Sequence, residues 1–233
     1  MALKQIGVVA VALLATGPAG ATPRFFELER IPTQRKLVAL TFDGGGATAS
    51  GTALILAALS RRHVRATFFV SGRWIRLHRA LAREIGRRYP VGNHTYSHQD
   101  LRGLSDAAVR ADVRRGAYWI RRVADREPRP LFRFPYGARD ARTVAVVNRL
   151  GYTSVRWSLD TWGWMGPSEG QSVGTVVRRF EQGLRPGAIV LMHVGAARDG
   201  SLLDARALPR VIAAAKRRGY RFVTFDRRVR ASR

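Results

Sequence analysis

The chain has 233 residues, 46% hydrophobic and 24% charged, with 41 lysines and arginines against 16 aspartates and glutamates and a formal net charge of +25. That length and hydrophobicity suffice for one packed domain and exclude wholesale disorder. The absence of cysteine excludes disulfides, cysteine-based zinc fingers and a thiol nucleophile. Only Lys4, Lys36 and Lys216 are lysines, so the positive charge is almost all arginine, scattered along the chain. It reads either as arginine-biased solvated faces or as attraction to a polyanionic neighbour. No recognition helix or stacking module accompanies it, so no specific nucleic-acid partner is expected.

In chain order, Met1 to Lys4 is a short positive segment, Ile6 to Ala15 an apolar one, Gly17-Pro18 a breaker, and Ala19-Gly20-Ala21 a run of small residues. This is the pattern of a signal peptide over residues 1–21. It implies a secreted or cell-envelope location, with no stable membrane span after processing, because the apolar run is short for a bilayer; an uncleaved anchor is the alternative. Residues 22–35 form a lead-in, and residues 36–233 read as one domain without repeats or linkers. From Lys36 onward, β-branched and aromatic runs alternate with helical patterns, the signature of βα units. The candidate strands are Leu37–Phe42, Ala66–Val70, Pro90–Asn93, Leu131–Phe134, Thr153–Trp157, Ala188–Met192 and Arg221–Phe225. Trp74, Leu77, Leu81 and Ile85 share one face of an expected helix whose other face carries Arg76, His78, Arg79 and Arg83. Ser105 is the expected N-cap of another helix, carrying Val109, Val113, Ile120 and Val123. The expected fold is α/β: a distorted or incomplete (β/α) barrel with about seven parallel strands.

In such folds chemistry gathers at the carboxyl ends of the strands. The first strand runs into Asp43-Gly44-Gly45-Gly46; the plain structural alternative makes Asp43 the cap of a helix around Ala53–Leu59. The third ends in His94-Thr95-Tyr96-Ser97-His98, a spacing that puts two imidazoles on one side of a turn and suits a divalent cation. The fourth gives Phe132-Arg133-Phe134-Pro135-Tyr136, where an arginine pointing inward calls for a carboxylate from a neighbouring strand. The fifth gives Trp157 to Trp164 around Asp160, and the sixth ends in His193. His63 and His78, on an arginine-rich loop and a polar helix face, look ordinary.

In this order and spacing, Thr41–Gly45, His94–His98, Arg133–Tyr136, Asp160–Trp164 and Leu191–His193 resemble the five motifs of the polysaccharide deacetylase family, the fourth family of carbohydrate esterases. The resemblance spans residues 36–226 and is fullest at His94–His98 and Arg133–Tyr136. It implies removal of N-acetyl, occasionally O-acetyl, groups from an acetylated glycan, with a bound divalent metal, commonly zinc. Asp43 would be the general base, Arg133 its ion-pair partner, His94 and His98 metal ligands, His193 the general acid, and the Tyr136 backbone N–H an oxyanion donor. Two motif aspartates are replaced: a metal ligand by Gly44, and the acid that tunes the catalytic histidine by Gly163. The third protein ligand is therefore open. The glycines could make room for Asp43 or a further water at the metal, Asp160 could orient His193, or catalysis could be lost. Retention of the aspartate, the arginine and all three histidines favours activity.

The export signal and the charge point to a cell-envelope glycan, with peptidoglycan first and electrostatic association with an anionic wall as an aid. Trp157, Trp162 and Trp164 offer a wall for sugar or acetyl, at least one of them being core. The rival from another class is a non-catalytic glycan- or wall-binding protein on a degenerate deacetylase fold.

Overall fold

The structure, a computed structural model, describes residues 27–225. The export signal expected over residues 1–21 lies outside the described residues.

Residues Leu37–Gly44 form β2, buried at every position because it is flanked by strands on both edges and layered on both faces. Around it, β3 (Thr67–Val70), β4 (Val91–Asn93), β5 (Leu131–Phe132) and β6 (Thr153–Val155) continue one way. On the other side stand β8 (Ala188–His193) and β7 (Leu159–Asp160). The path begins at β1 (Glu27–Leu28) and runs β1-β6-β5-β4-β3-β2-β8-β7, with β9 (Arg221–Phe222) on the start of β2. Every strand pair is parallel. The two ends of the path, β1 and β7, do not pair with each other, so the barrel is incomplete, as expected.

The described residues contain nine strands where about seven were expected. The additional two have two residues each, too short for a periodic signal. One of them, β1, pairs with β6 from within the segment read as a lead-in, so the sheet begins before residue 36. The other, β7, lies in the stretch read as a strand-end loop. Strands β5, β6 and β9 also stop two or three residues earlier than their hydrophobic runs.

Alternation along the strands sorts the core into layers. Leu37 and Ala39 of β2, Phe69 of β3, Leu131 of β5, Val155 of β6 and Ile189 of β8 fill the barrel interior. Val38, Leu40 and Phe42 face the helices. Period two therefore puts Thr41 and Asp43 on the inward row, which changes from apolar to polar near the carboxyl end. The same alternation turns Gly44 outward.

The outer layer consists of α1 (Thr52–Arg61), α2 (Gly72–Leu77), α3 (Arg79–Arg88), α4 (Asp106–Trp119), α5 (Ala141–Arg149), α6 (Val173–Gly183) and α7 (Leu203–Arg217). Ser105 caps α4 as expected, accepting from Ala108 N–H, and Val109, Val113, Ile120 and Val123 are buried. The helix expected across Trp74 to Ile85 is two helices broken at His78 (φ −123°, ψ 51°). His78 is not an idle surface residue: its Nε2 donates to the Ala47 carbonyl at 2.7 Å and its ring packs on Trp74, an anchor to the loop after β2. The N-cap of α1 is Gly51, so Asp43 caps nothing. No helix among the described residues is long and apolar enough to cross a membrane.

Candidate active site

The strand ends bring Asp43, His94, His98, Arg133, Tyr136, Asp160 and His193 to one rim. Asp43 and His193 are direct register partners on β2 and β8. Arg133 follows β5, is 1% exposed, and donates from Nη1 to Asp43 Oδ1 at 2.7 Å and to Thr41 Oγ1 at 2.9 Å. Its remaining donors reach the carbonyls of Val155 (3.0 Å, Nε) and Arg156 (3.0 Å, Nη2), and the guanidinium lies over Phe69. The carboxylate partner called for by a buried arginine is thus Asp43. Burial alone would raise the Asp43 pKa, but the charges of Arg133, His94 and His193 outweigh it and hold the carboxyl below its ordinary value.

His94 donates from Nδ1 to the Arg133 carbonyl at 2.8 Å, which leaves its Nε2 lone pair free, 3.7 Å from Asp43 Oδ2. Burial lowers the pKa of His94, and burial, with repulsion from His94 whenever that ring is protonated, pushes His98 down to about 3, so both rings stay neutral near pH 7. The His98 ring lies over Gly45, where a Cβ would overlap it, and meets Tyr136 edge-on at 4.7 Å. The close approach of the histidine therefore requires the glycine at 45.

Two neutral imidazoles, one fixed through its second nitrogen, are donors of the kind a divalent cation takes, and His94 and His98 would hold it. No third protein donor joins them: among the described residues no three of His, Cys, Asp and Glu stand as a metal-holding group. Gly44 does not open space on the Asp43 side, because a Cβ there would meet Val70, Val194 and Trp74 in the outer core.

Gly163 is equally far from an empty place. A Cβ at 163 would overlap the carboxylate of Asp204, in the first turn of α7. Asp204, 4% exposed, accepts from Thr161 Oγ1 at 2.7 Å and from the His193 backbone N–H at 2.9 Å, and its Oδ2 lies 3.5 Å from His193 Nδ1. Asp160 instead accepts from Trp162 N–H at 2.9 Å and faces Trp164 Nε1 at 3.4 Å. It shapes the tryptophan loop and makes no hydrogen bond to His193. Burial raises the Asp160 pKa. Burial would lower that of His193, but the adjacent carboxylate of Asp204, with the charges of Asp43 and Asp160, raises it. Sequence reasoning missed Asp204; the one signal for it was an acid set in the apolar run Leu202–Ala205.

Tyr136 is 71% exposed, and Trp162 and Trp164 are exposed as well, whereas Trp157 packs against the interior core under Arg133. Four non-glycine residues of the rim, Thr95, His98, Tyr136 and Trp162, have φ near +60°. That backbone costs about 1 kcal/mol or more per residue and concentrates at functional sites.

The sequence pattern of the family described as polysaccharide deacetylase matches residues 30–155. A chitooligosaccharide deacetylase of Bradyrhizobium sp. (strain ANU 289) is 33% identical over 193 residues, covering 78% of this chain and 86% of that relative. Among solved structures, a peptidoglycan N-acetylglucosamine deacetylase in complex with a naphthalenyl N-hydroxybenzamide has a TM-score of 0.78 at 28% identity, covering 89% of this chain and 94% of that one. A pseudoenzyme of carbohydrate esterase family 4 from Bacillus anthracis has a TM-score of 0.76 at 26% identity, covering 84% of this chain and 66% of that one. Fold, rim and likenesses together define a glycan deacetylase, a hydrolase on an incomplete parallel barrel. The chain belongs to the polysaccharide deacetylase family.

Proposed function

We propose that the protein is exported and removes N-acetyl groups from a cell-envelope glycan, peptidoglycan being the leading substrate. The observation that carries this reading is the Asp43–Arg133 pair facing His193 across adjacent strands, beside two neutral imidazoles.

A divalent cation such as zinc supplies, when bound by His94 and His98, acidification of water and polarisation of an acyl oxygen. Asp43, held ionised by Arg133, is placed to accept a proton from the attacking water. It takes the proton as the water oxygen bonds to the acetyl carbon. The Tyr136 backbone N–H faces the oxygen that gains charge. His193, whose raised pKa keeps it protonated further into neutral pH, gives its proton to the amine nitrogen as the C–N bond breaks. Acetate and the free amino sugar result. Tyr136, Trp162 and Trp164 offer exposed ring faces to the sugar. The arginine-rich surface concentrates the protein on anionic wall polymers.

A second reading, a non-catalytic glycan- or wall-binding protein, is favoured by Gly44 and by the lack of a third metal donor among the described residues. Acetate release from N-acetylated chitooligosaccharides and peptidoglycan, with zinc present, separates the two. The expected result is release from the wild type, abolished by a chelator and lowered about 10²–10⁴-fold in Asp43→Asn. Retention on glycan with no acetate from any substrate would establish the binding reading instead.

A further inference from the structure

The His193 Nδ1 is buried and has no hydrogen-bond partner within ordinary geometry among the described residues. The nearest acceptor is Asp204 Oδ2, at 3.5 Å. The charged and titratable groups that act on this imidazole are Asp204 on α7, Asp43 on β2, Asp160 on β7, and His94 with His98 after β4. Of the carboxylates, only Asp204 approaches Nδ1. It is fixed there, because Oδ1 is held by the Thr161 hydroxyl and Oδ2 by the His193 backbone N–H. Oδ2 keeps a second lone pair, 3.5 Å from Nδ1. The carboxylate also occupies the volume into which a side chain at 163 would project.

We propose that Asp204 is the positioning residue for His193, a carboxylate delivered from the α7 N-terminus into the place left by Gly163, where it holds the Nδ1–H so that Nε2 carries the deliverable proton. The inference rests on the deacetylase reading for its chemistry but not for its geometry. A carboxylate in the first turn of a helix is also favoured by the helix dipole. Fold stabilisation alone would leave the titration of the histidine unmoved, and this separates the two roles.

The test is the imidazole titration of His193 in the full-length protein, followed by NMR alongside the pH profile of acetate release. In the wild type, His193 should titrate above the ordinary histidine value, and in Asp204→Asn it should titrate lower than in the wild type. The alkaline limb of kcat should move down with it, and kcat should drop about tenfold or more with KM little changed. Gly163→Asp alone should lose thermal stability through the overlap with Asp204. The exchange Gly163→Asp with Asp204→Gly should restore both the titration and kcat to within a few-fold of wild type. An unshifted His193 in folded Asp204→Asn would overturn the proposal, and so would an exchange variant that folds but fails to restore the titration. If Asp204→Asn does not fold, the exchange variant alone decides, and its failure to fold as well would show a role in the fold only and overturn the proposal. Absence of acetate from the wild type with the titration shift intact would remove the deacetylase reading and leave the hold of Asp204 on His193 standing.

Discussion

Arg133 shows how much one residue determines at this rim. It is fully buried, neutralises the carboxylate of β2, orders the carbonyls at the end of β6, and through its own carbonyl fixes the tautomer of His94. Removing either member of such a pair strands the other charge out of water, which costs about 3–5 kcal/mol. Gly44 is the opposite case, a position where a side chain would crowd the apolar side chains of the outer core. An aspartate there would set its Cβ 3.0 Å from Val70 Cγ1 and 3.1 Å from Val194 Cγ2 and drive a carboxylate into the outer core. Gly44→Asp should therefore lose about 2 kcal/mol or more in urea unfolding without tightening zinc in a competition titration. Tighter zinc at undiminished stability would show that the strand end can turn its side chain inward.

At the scale of elements, the short strand β1 matters through one side chain. Glu27 accepts two bonds from Arg139, both at 2.7 Å, and one from Ser154 at 2.9 Å. Arg139 also donates to the Gly137 carbonyl, so β1 secures the turn that bears Tyr136. Burial tends to raise the Glu27 pKa, but the bonds from Arg139 and Ser154 and the charge of Arg139 more than offset this and lower it. A lowered carboxyl stabilises the fold above its unfolded value near 4.3 and loses that contribution as pH falls through the folded value. Glu27→Ala should cost about 1–3 kcal/mol at pH 7 by urea unfolding. The gap to wild type should narrow as the pH is lowered below about 4; a gap independent of pH would show that packing, not charge, secures β1. The break between α2 and α3 belongs to the same scale, since a bond from His78 to the Ala47 carbonyl outweighs a continuous helical pattern.

Over the whole molecule, a net charge of +25 spread over nearly every helix produces a long-range field with no sequence-reading geometry. Such attraction is screened beyond about 10 Å at 0.1 M salt. Retention on isolated cell walls should accordingly fall steeply between low salt and about 0.5 M, while acetate release from a neutral chitooligosaccharide changes little. Salt-independent retention would place wall binding in the cleft and its exposed aromatics.

The sequence by itself determined the parallel α/β architecture and most of the rim, because strand runs announce themselves by burial and because rare residues at strand ends fall in motif order. Asp43, His94, His98, Arg133 and His193 were legible for that reason, and so was the pairing of Arg133 with a carboxylate. The sequence also showed that Gly44 and Gly163 lack two acids, but not what fills their places. Only the tertiary structure decided that. Strand alternation turns position 44 into packed Val70, Val194 and Trp74, and the approach of α7 to the end of β8 brings Asp204 to His193. Neither is local: the first depends on which face of β2 meets the helices, the second on a carboxylate eleven residues beyond the histidine it serves.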